Sequence, residues 1–302
     1  MTEQASIIAL AGAGGDLGGR IATALVRRGA KVRALVRPNL SPQEAARIEK
    51  LGATLVAADP NDVRALANAC AGAECVVSAL SGLRAVLIDR QSILLDAAAA
   101  ADVPRFIPSD FSEDFTTTPP GGNRNLDLRR EFMARADQTP LQVTSILNGA
   151  FMDMLGAEMP LIQKRIHRVL YWRSADQPLD FTTKDDVAAY TAAAALDAGA
   201  PRILRIAGDT VSVREIASVM TDLTGEPFKP LGAGGIGTLS MMIRLTQLLA
   251  PQRRETFPPW QGMQYMRDMF SGAGKLHPID NRRYPDLRWT SVREHLACRK
   301  FG

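Results

Sequence analysis

Three cysteines and three histidines in 302 residues leave little material for a metal centre or a disulfide framework. Cys70, Cys75 and Cys298 are odd in number and scattered, with no Cys-x-x-Cys pair, and His167, His277 and His295 follow no ligand spacing. No metal is expected, and the thiols read as buried or half-buried groups in a reducing compartment. Basic residues cluster only in pairs such as Arg27-Arg28, Arg129-Arg130, Arg253-Arg254 and Arg282-Arg283, and the formal charge is only +4. That excludes a nucleic-acid tract and leaves the pairs as solvated surface. No apolar stretch is long and charge-free enough to span a bilayer, so no membrane partner is expected. The first strand begins about five residues into the chain, which leaves no room for a leader, and a cytoplasmic location is the expectation. What remains, 46% hydrophobic and 23% charged, is the mixture of a globular protein.

The most informative stretch is Ser6-Ile-Ile-Ala-Leu-Ala-Gly-Ala-Gly-Gly-Asp-Leu-Gly-Gly-Arg20. An apolar run reaches a glycine loop, and the loop opens into a helical pattern with Ile21, Leu25 and Val26 on one face. Strand, glycines and helix in that order bring a diphosphate against backbone N–H groups at the positive end of a helix. Gly12, Gly15 and Gly18 give a G-x-x-G-x-x-G spacing, with Leu17 where the tighter fingerprint has glycine. Gly12 turns the chain, Gly15 lets the diphosphate approach, and Gly18 lets helix and strand pack closely. Gly14, Asp16 and Leu17 complete the loop as cofactor-contacting positions.

Further apolar runs at 31–37, 54–58, 74–80, 105–108 and 142–147 alternate with helical patterns at 42–51, 62–71, 84–101 and 124–137. The alternation predicts an α/β, Rossmann-type doubly wound parallel sheet with a smaller C-terminal α/β substrate domain. Residues 1–152 form the dinucleotide-binding domain, completed by about 184–208, and 153–302 the substrate or lid domain. Residues 203–207 are a candidate extra strand for the sheet. Dense proline and glycine at 225–237 and 251–274 predict loops around a pocket, and the Leu- and Met-rich 239–249 helix reads as a lid or a subunit contact. The second glycine cluster, Gly232-Ala-Gly-Gly-Ile-Gly237, reads as a loop rather than a second phosphate site, because Pro230 before it bars a central strand.

The end of the second strand selects the nicotinamide cofactor: an acid there binds the ribose 2′-hydroxyl, whereas arginine holds a 2′-phosphate. The strand ends in Arg37, with Arg33 before it and no acid between, which favours NADP(H) and leaves NAD(H) as the second choice. Asp59 is placed either for the adenine amino group or, like Asn61, for a helix N-cap.

These residues resemble the NmrA-like and isoflavone-reductase-like atypical short-chain dehydrogenases. The resemblance rests on Gly12–Gly18, Leu35-Val-Arg-Pro38, Val76-Val-Ser78, Arg105-Phe-Ile-Pro-Ser-Asp-Phe111, Leu128-Arg-Arg130, Ser145-Ile-Leu-Asn-Gly-Ala-Phe151, Asp185-Asp-Val-Ala188 and Tyr284-Pro-Asp-Leu287. It implies an NADP-binding domain, a substrate domain and a cleft between them. It also implies that Ala79, Leu80, Ser109, Asn148 and Gly149 line the nicotinamide half. Asp110, Phe111, Phe151 and Met152 are the corresponding substrate-side candidates. The isoflavone-type reductases carry a lysine shortly before the Arg-Arg helix, and lining up Leu128-Arg-Arg130 puts Asn125 there, as catalytic candidate or as helix cap, with Asn123 the better cap. The short-chain pattern Tyr-x-x-x-Lys is absent, since Tyr171, Tyr190, Tyr265 and Tyr284 are followed four residues on by Ala175, Ala194, Met269 and Arg288. Asp110 and Asp114 read as solvated loop acids in preference to an acid–base pair.

Two functions fit. The first is an NADPH-dependent oxidoreductase acting on a small apolar conjugated acceptor such as a quinone or enone. The second is an NADP-binding redox-sensing regulator, with a protein partner and no turnover. A small-molecule substrate is expected in the first case, and nucleic acid in neither.

Overall fold

The computed structural model describes residues 5–156 and 159–298. They form two compact units: one made of residues through Asp110 with Leu128–Ile146 and Val187–Leu204, the other of Phe111–Asp127, Leu147–Asp186 and the residues from Arg205 on.

The chain opens with β1 (Ile7–Ala11), α1 (Asp16–Arg27), β2 (Lys31–Val36), α2 (Pro42–Glu49), β3 (Thr54–Ala57), α3 (Val63–Cys70) and β4 (Cys75–Ser78). After a π-helical turn, Ala85–Arg90, come α4 (Gln91–Ala100), β5 (Arg105–Ile107), α5 (Arg124–Ala136), β6 (Gln142–Val143) and β7 (Ser145–Leu147). The six strands β1 to β6 form one parallel sheet in the order β3-β2-β1-β4-β5-β6. That order reverses between β1 and β4, the place where a doubly wound sheet opens a ligand crevice beyond its strand ends. Both faces of such a sheet are covered, which explains why Val76, Val77, Ala9 and Leu10 are all buried without alternation. Ile21, Ala22 and Leu25 turn α1's apolar face inward, and Asp62, rather than Asp59 or Asn61, caps α3 by accepting from the Arg64 and Ala65 N–H groups. Arg33 points away from the strand end: its guanidinium donates to the Ala71 carbonyl at 2.6 Å, closing the C-terminus of α3.

The expected sixth strand is broken at Thr144. Gln142 and Val143 continue the parallel sheet, whereas Ser145–Leu147 pairs with β12 (Ile203–Arg205), so 203–205 does not extend the main sheet. The intervening elements are β8 (Ala150–Phe151), β9 (Ile162–Gln163), β10 (Arg168–Tyr171), β11 (Leu179–Thr182) and α6 (Lys184–Leu196). After β12 come β13 (Asp209–Val211), α7 (Val213–Thr224), β14 (Lys229–Gly232), α8 (Ile236–Leu249), α9 (Pro259–Ser271) and α10 (Val292–Ala297). The second unit holds two small sheets, β14-β10-β9 and β13-β11-β8, around a core that includes Met152, Trp172, Phe181, Ile216 and Phe270.

Two of its stretches differ from the expected loops. Pro230 does enter a strand, but β14 lies at the edge of its sheet, where a missing N–H costs no ladder bond. The glycines after it therefore form a strand-to-helix turn into α8, with Gly235 as N-cap. Pro258 and Pro259 begin a helix instead of preventing one, because Pro259 sits at a first-turn position whose N–H would have no partner anyway.

Candidate functional site

In the first unit the glycine loop sits at the carboxyl end of β1, beside the ends of β4 and β5. Gly12 has φ +88°, and a Cβ on it would lie 2.6 Å from the Ala79 carbonyl oxygen. A Cβ on Gly18 would lie 2.0 Å from the Gly12 carbonyl oxygen, so the start of α1 crosses the loop in backbone contact. By contrast, a Cβ on Gly14 or Gly15 would meet nothing nearer than 3.4 Å. Gly15 is the N-cap of α1 and brings no side chain to its first turn, so the N–H groups of Asp16, Leu17 and Gly18 have no side-chain cap. A first turn with no side-chain cap, glycines on which a Cβ would meet no backbone clash at Gly14 and Gly15, and the positive helix end fit a dinucleotide diphosphate. Asp16 is engaged sideways, accepting from Arg20 Nε at 2.8 Å.

The neighbouring strand ends are fixed by a residue that the sequence did not flag. Gln91, buried where the π-helical turn meets α4, accepts from Ser78 Oγ at 2.6 Å and from the Ser109 N–H at 2.9 Å. Ser109 Oγ in turn donates to the Leu80 carbonyl at 2.6 Å. Ala79, Leu80 and Ser109 are thereby brought together with Gly12, and the Ser109 hydroxyl serves as a brace. Arg47 of α2, also unflagged, donates from its guanidinium to the Gly14 carbonyl and sets a positive charge beside the loop. Arg37 is exposed and lies 3.5 Å from Glu44, the acid of α2's capping box, which Ser41 and Arg37 hold below the usual carboxylate range. Asp59 accepts from the Asn61 backbone and side-chain N–H groups, closing a turn at the end of β3.

Asp110 and Asp114 are not solvated acids; both are fully buried. Asp110 accepts from Ser145 Oγ at 2.6 Å, and Arg202 donates to the same hydroxyl at 2.8 Å. Burial pushes the Asp110 carboxyl up to about 6, against the opposing pull of Ser145, Arg129 and Arg202. Asp114, in the second unit, is paired with Arg205 at 2.5 Å and accepts from Thr116.

The other candidates belong to the second unit. Asn148 and Gly149 both donate their backbone N–H to the Ser112 carbonyl, at 2.9 and 3.1 Å, which ties the turn after β7 to the segment following Phe111. Gly149 has φ +66°, and a Cβ there would lie 2.5 Å from the Asp180 carbonyl oxygen. The Asn148 Oδ1 atom is buried without a hydrogen-bond partner among the described residues. Phe111 and Met152 are buried, and Phe151 is half-buried with Lys184 Nζ 6.0 Å from its ring centroid. Glu113, 2% exposed, has neither carboxylate oxygen hydrogen-bonded among the described residues. Burial, with Asp268 and Asp180 nearby, raises its carboxyl well above the usual range, and Arg267 opposes this.

Asn123 caps α5 through the Leu126 N–H and also receives the Gln261 amide. Asn125 does something else. It is 1% exposed, donates to the Thr256 carbonyl at 3.1 Å and accepts from Arg124 Nε at 3.1 Å. Arg124 spreads its guanidinium over the Glu255 and Thr256 carbonyls, 3.0 and 2.8 Å away, and lies 4.6 Å over the Trp260 ring. The pair anchors the segment between α8 and α9.

Cys70 and Cys75 are buried, with thiols raised to about 11 and about 12 by desolvation, whereas Cys298 is exposed. Among the described residues, no group of three or more His, Cys, Asp or Glu is placed to hold a metal ion, and no helix is long and apolar enough to cross a membrane.

The strand order, the glycine turn and the uncapped helix end define a Rossmann-type α/β protein with a dinucleotide-type anion site. The chain belongs to the NmrA-like family, whose profile matches residues 4–231. It is similar to pinoresinol reductase 1 of Arabidopsis thaliana, with 28% identity over 236 residues covering 74% of this chain and 72% of that protein. Among solved structures, leucoanthocyanidin reductase from Vitis vinifera in binary complex with NADPH superposes with a TM-score of 0.79 at 19% identity, covering 96% of this chain and 98% of the other. An NADPH-dependent quinone oxidoreductase from Escherichia coli superposes with a TM-score of 0.73 at 19% identity, again covering 96% and 98%. At these identities the two superpositions establish the fold.

Proposed function

We propose that this chain is an NADP(H)-dependent oxidoreductase that passes hydride to a small, apolar, conjugated acceptor such as a quinone or an enone. The cofactor supplies the hydride. The chain's residues hold its diphosphate at the glycine loop and the first turn of α1, offer Arg37 to the ribose 2′ position, and keep the ends of β4 and β5 in place through Gln91 and Ser109. Arg47 adds positive charge beside the loop. The named reductases similar to this chain, one of them in complex with NADPH, support the cofactor and the reaction type.

The acceptor class rests on one observation, the Asn125 amide. Where the resemblance puts a lysine, this chain has a buried amide committed to the Thr256 carbonyl. An amide supplies no proton near neutral pH, and reduction of an isolated ketone to an alcohol needs one. A quinone spreads the incoming charge over conjugated oxygens and takes its protons from water. The likeness to a quinone oxidoreductase agrees with that choice.

The test is NADPH oxidation, followed through the loss of its near-ultraviolet absorbance, with a panel of quinones, enones and simple ketones. The expected result is turnover with quinones or enones and none with ketones. Equal turnover of simple ketones would overturn the acceptor assignment. NADPH binding without oxidation by any acceptor would leave the regulatory reading in its place.

A further inference from the structure

Helix α8 shows solvent the wrong side. Leu239 and Ile243 face inward, while Met241, Leu245, Leu248 and Leu249 are exposed, the last two at 78% and 73%. Their spacing, i, i+4, i+7 and i+8, places them in one stripe along the helix. Such a stripe on an outer face is where a second surface docks.

The charges around it indicate what kind of surface. Arg244 is exposed on the same helix, and Arg253 and Arg254 are exposed just past its end; none has a carboxylate partner among the described residues. Residues 251–255 line an open crevice of about 450 Å³. Its backbone is anchored from beneath: Arg124 donates to the Arg253, Glu255 and Thr256 carbonyls, and Trp260 Nε1 donates to the Pro251 carbonyl at 2.8 Å. The two arginine side chains are therefore presented from a braced loop. Phe257, 60% exposed, follows directly. Two copies meeting through this face would set arginines against arginines, which disfavours self-association. An apolar stripe flanked by unpaired arginines matches an anionic lipid surface instead.

We infer that α8 and the 251–257 segment form an interfacial docking surface for an anionic phospholipid bilayer, with the stripe in the acyl boundary and the arginines among the headgroups. This departs from the expectation of no membrane partner, which rested on the lack of a spanning stretch, a feature that a helix lying in the interface does not need. This inference does not depend on hydride transfer, and its test involves no turnover.

The full chain is sedimented with vesicles of phosphatidylcholine alone and of phosphatidylcholine containing about one-third phosphatidylglycerol. It should pellet with the anionic vesicles, less so at high salt, and not with the neutral ones. Removing each arginine should weaken partitioning about 5-fold, so Arg253→Ser with Arg254→Ser should cost about 25-fold. Leu245→Ser with Leu248→Ser should abolish binding while leaving the melting temperature unchanged, since both positions are exposed. No pelleting, equal pelleting with neutral vesicles, or indifference to the leucine changes would overturn the inference. A dimer in solution that the leucine changes dissociate would also overturn it and assign the stripe to a second copy.

Discussion

Replacing Gly18 by alanine tests the glycine loop by the sign of the effect. Alanine in a helix is normally favoured over glycine by up to ~1 kcal/mol, so intrinsic propensity alone predicts a more stable protein. Here the new methyl would lie 2.0 Å from the Gly12 carbonyl oxygen and 2.6 Å from its carbon, both backbone atoms of a tight turn. Relief requires α1 to move off β1, an overpacking cost of about 1–3 kcal/mol that outweighs the propensity gain. The net loss, up to about 2 kcal/mol after the full propensity gain, lowers Tm by up to roughly 8 °C for a protein of this size. Gly19 is the internal control: a methyl there meets only ordinary contacts, 3.5 Å from the Ala13 carbonyl oxygen and from Leu51 Cδ1. Gly19→Ala should therefore raise Tm, and the two adjacent substitutions should differ in sign by differential scanning fluorimetry. Gly15→Ala completes the set. With 3.4 Å to the Gly12 oxygen it should leave the free protein's Tm nearly unchanged. It should weaken NADPH binding at least tenfold, cutting the stabilisation given by a ligand at 100 times the native Kd from about 2.7 to about 1.4 kcal/mol. A Gly18→Ala protein as stable as the native one would refute the close crossing, and a Gly15→Ala protein with native NADPH affinity would refute the placing of the diphosphate.

Arg37→Glu should lower NADPH affinity at least tenfold relative to NADH in paired titrations, because it removes the cation offered to the 2′-phosphate and adds repulsion; an unchanged ratio would transfer that role away from Arg37. Asn125→Ala should remove one of the two donors to the Thr256 carbonyl and the acceptor of Arg124 Nε, costing about 1–3 kcal/mol and raising proteolytic nicking at 251–257. Glu113 has a raised pKa in the fold, so its contribution is fully present below its unfolded pKa near 4.5 and is lost as pH climbs through the folded value. Glu113→Gln should therefore raise Tm most at alkaline pH and least near pH ~4, and a pH-independent effect would contradict the unpaired burial. Asp110 follows the same sign, its stability contribution falling between the unfolded value of 3.8 and about 6, a window that Asp110→Asn should flatten.

What could be read from the chain divides along the range of the interactions. The strand, glycine turn and helix of residues 7–27 are coded within one contiguous stretch, and so were legible. Residues joined by distant contacts were not. Arg47 reaches Gly14 from α2, and Gln91 reaches Ser78 and Ser109 from a π-helical turn with no sequence signature. The break at Thr144 depends on 203–205 competing for Ser145–Leu147, which alternation along one strand cannot reveal. Proline density misled in the second unit because proline is excluded only from helix interiors and central strands. Pro259 opens a helix and Pro230 lies on an edge. Asp110 and Asp114 looked like loop acids because their partners, Ser145 and Arg205, lie 35 and 91 residues away.

Asn125, which the resemblance lines up with a reductase lysine, has a structural duty in this chain. A lysine there would have to leave its charge in a 1%-exposed position or give up the Thr256 carbonyl, and neither suits the segment that Arg124 also holds. Under the proposed function the chemistry is one that tolerates an amide, with acceptors that need no enzyme-held proton. The acceptor proposed is apolar, and the segment that Asn125 anchors is the same one that carries Arg253 and Arg254 beside the α8 stripe. The two proposals thus meet at residues 251–257. Restoring a lysine at position 125 should loosen that segment and weaken vesicle binding even where NADPH binding is kept. If Asn125→Lys left vesicle binding untouched, the anchoring role would have to be given to Arg124 alone.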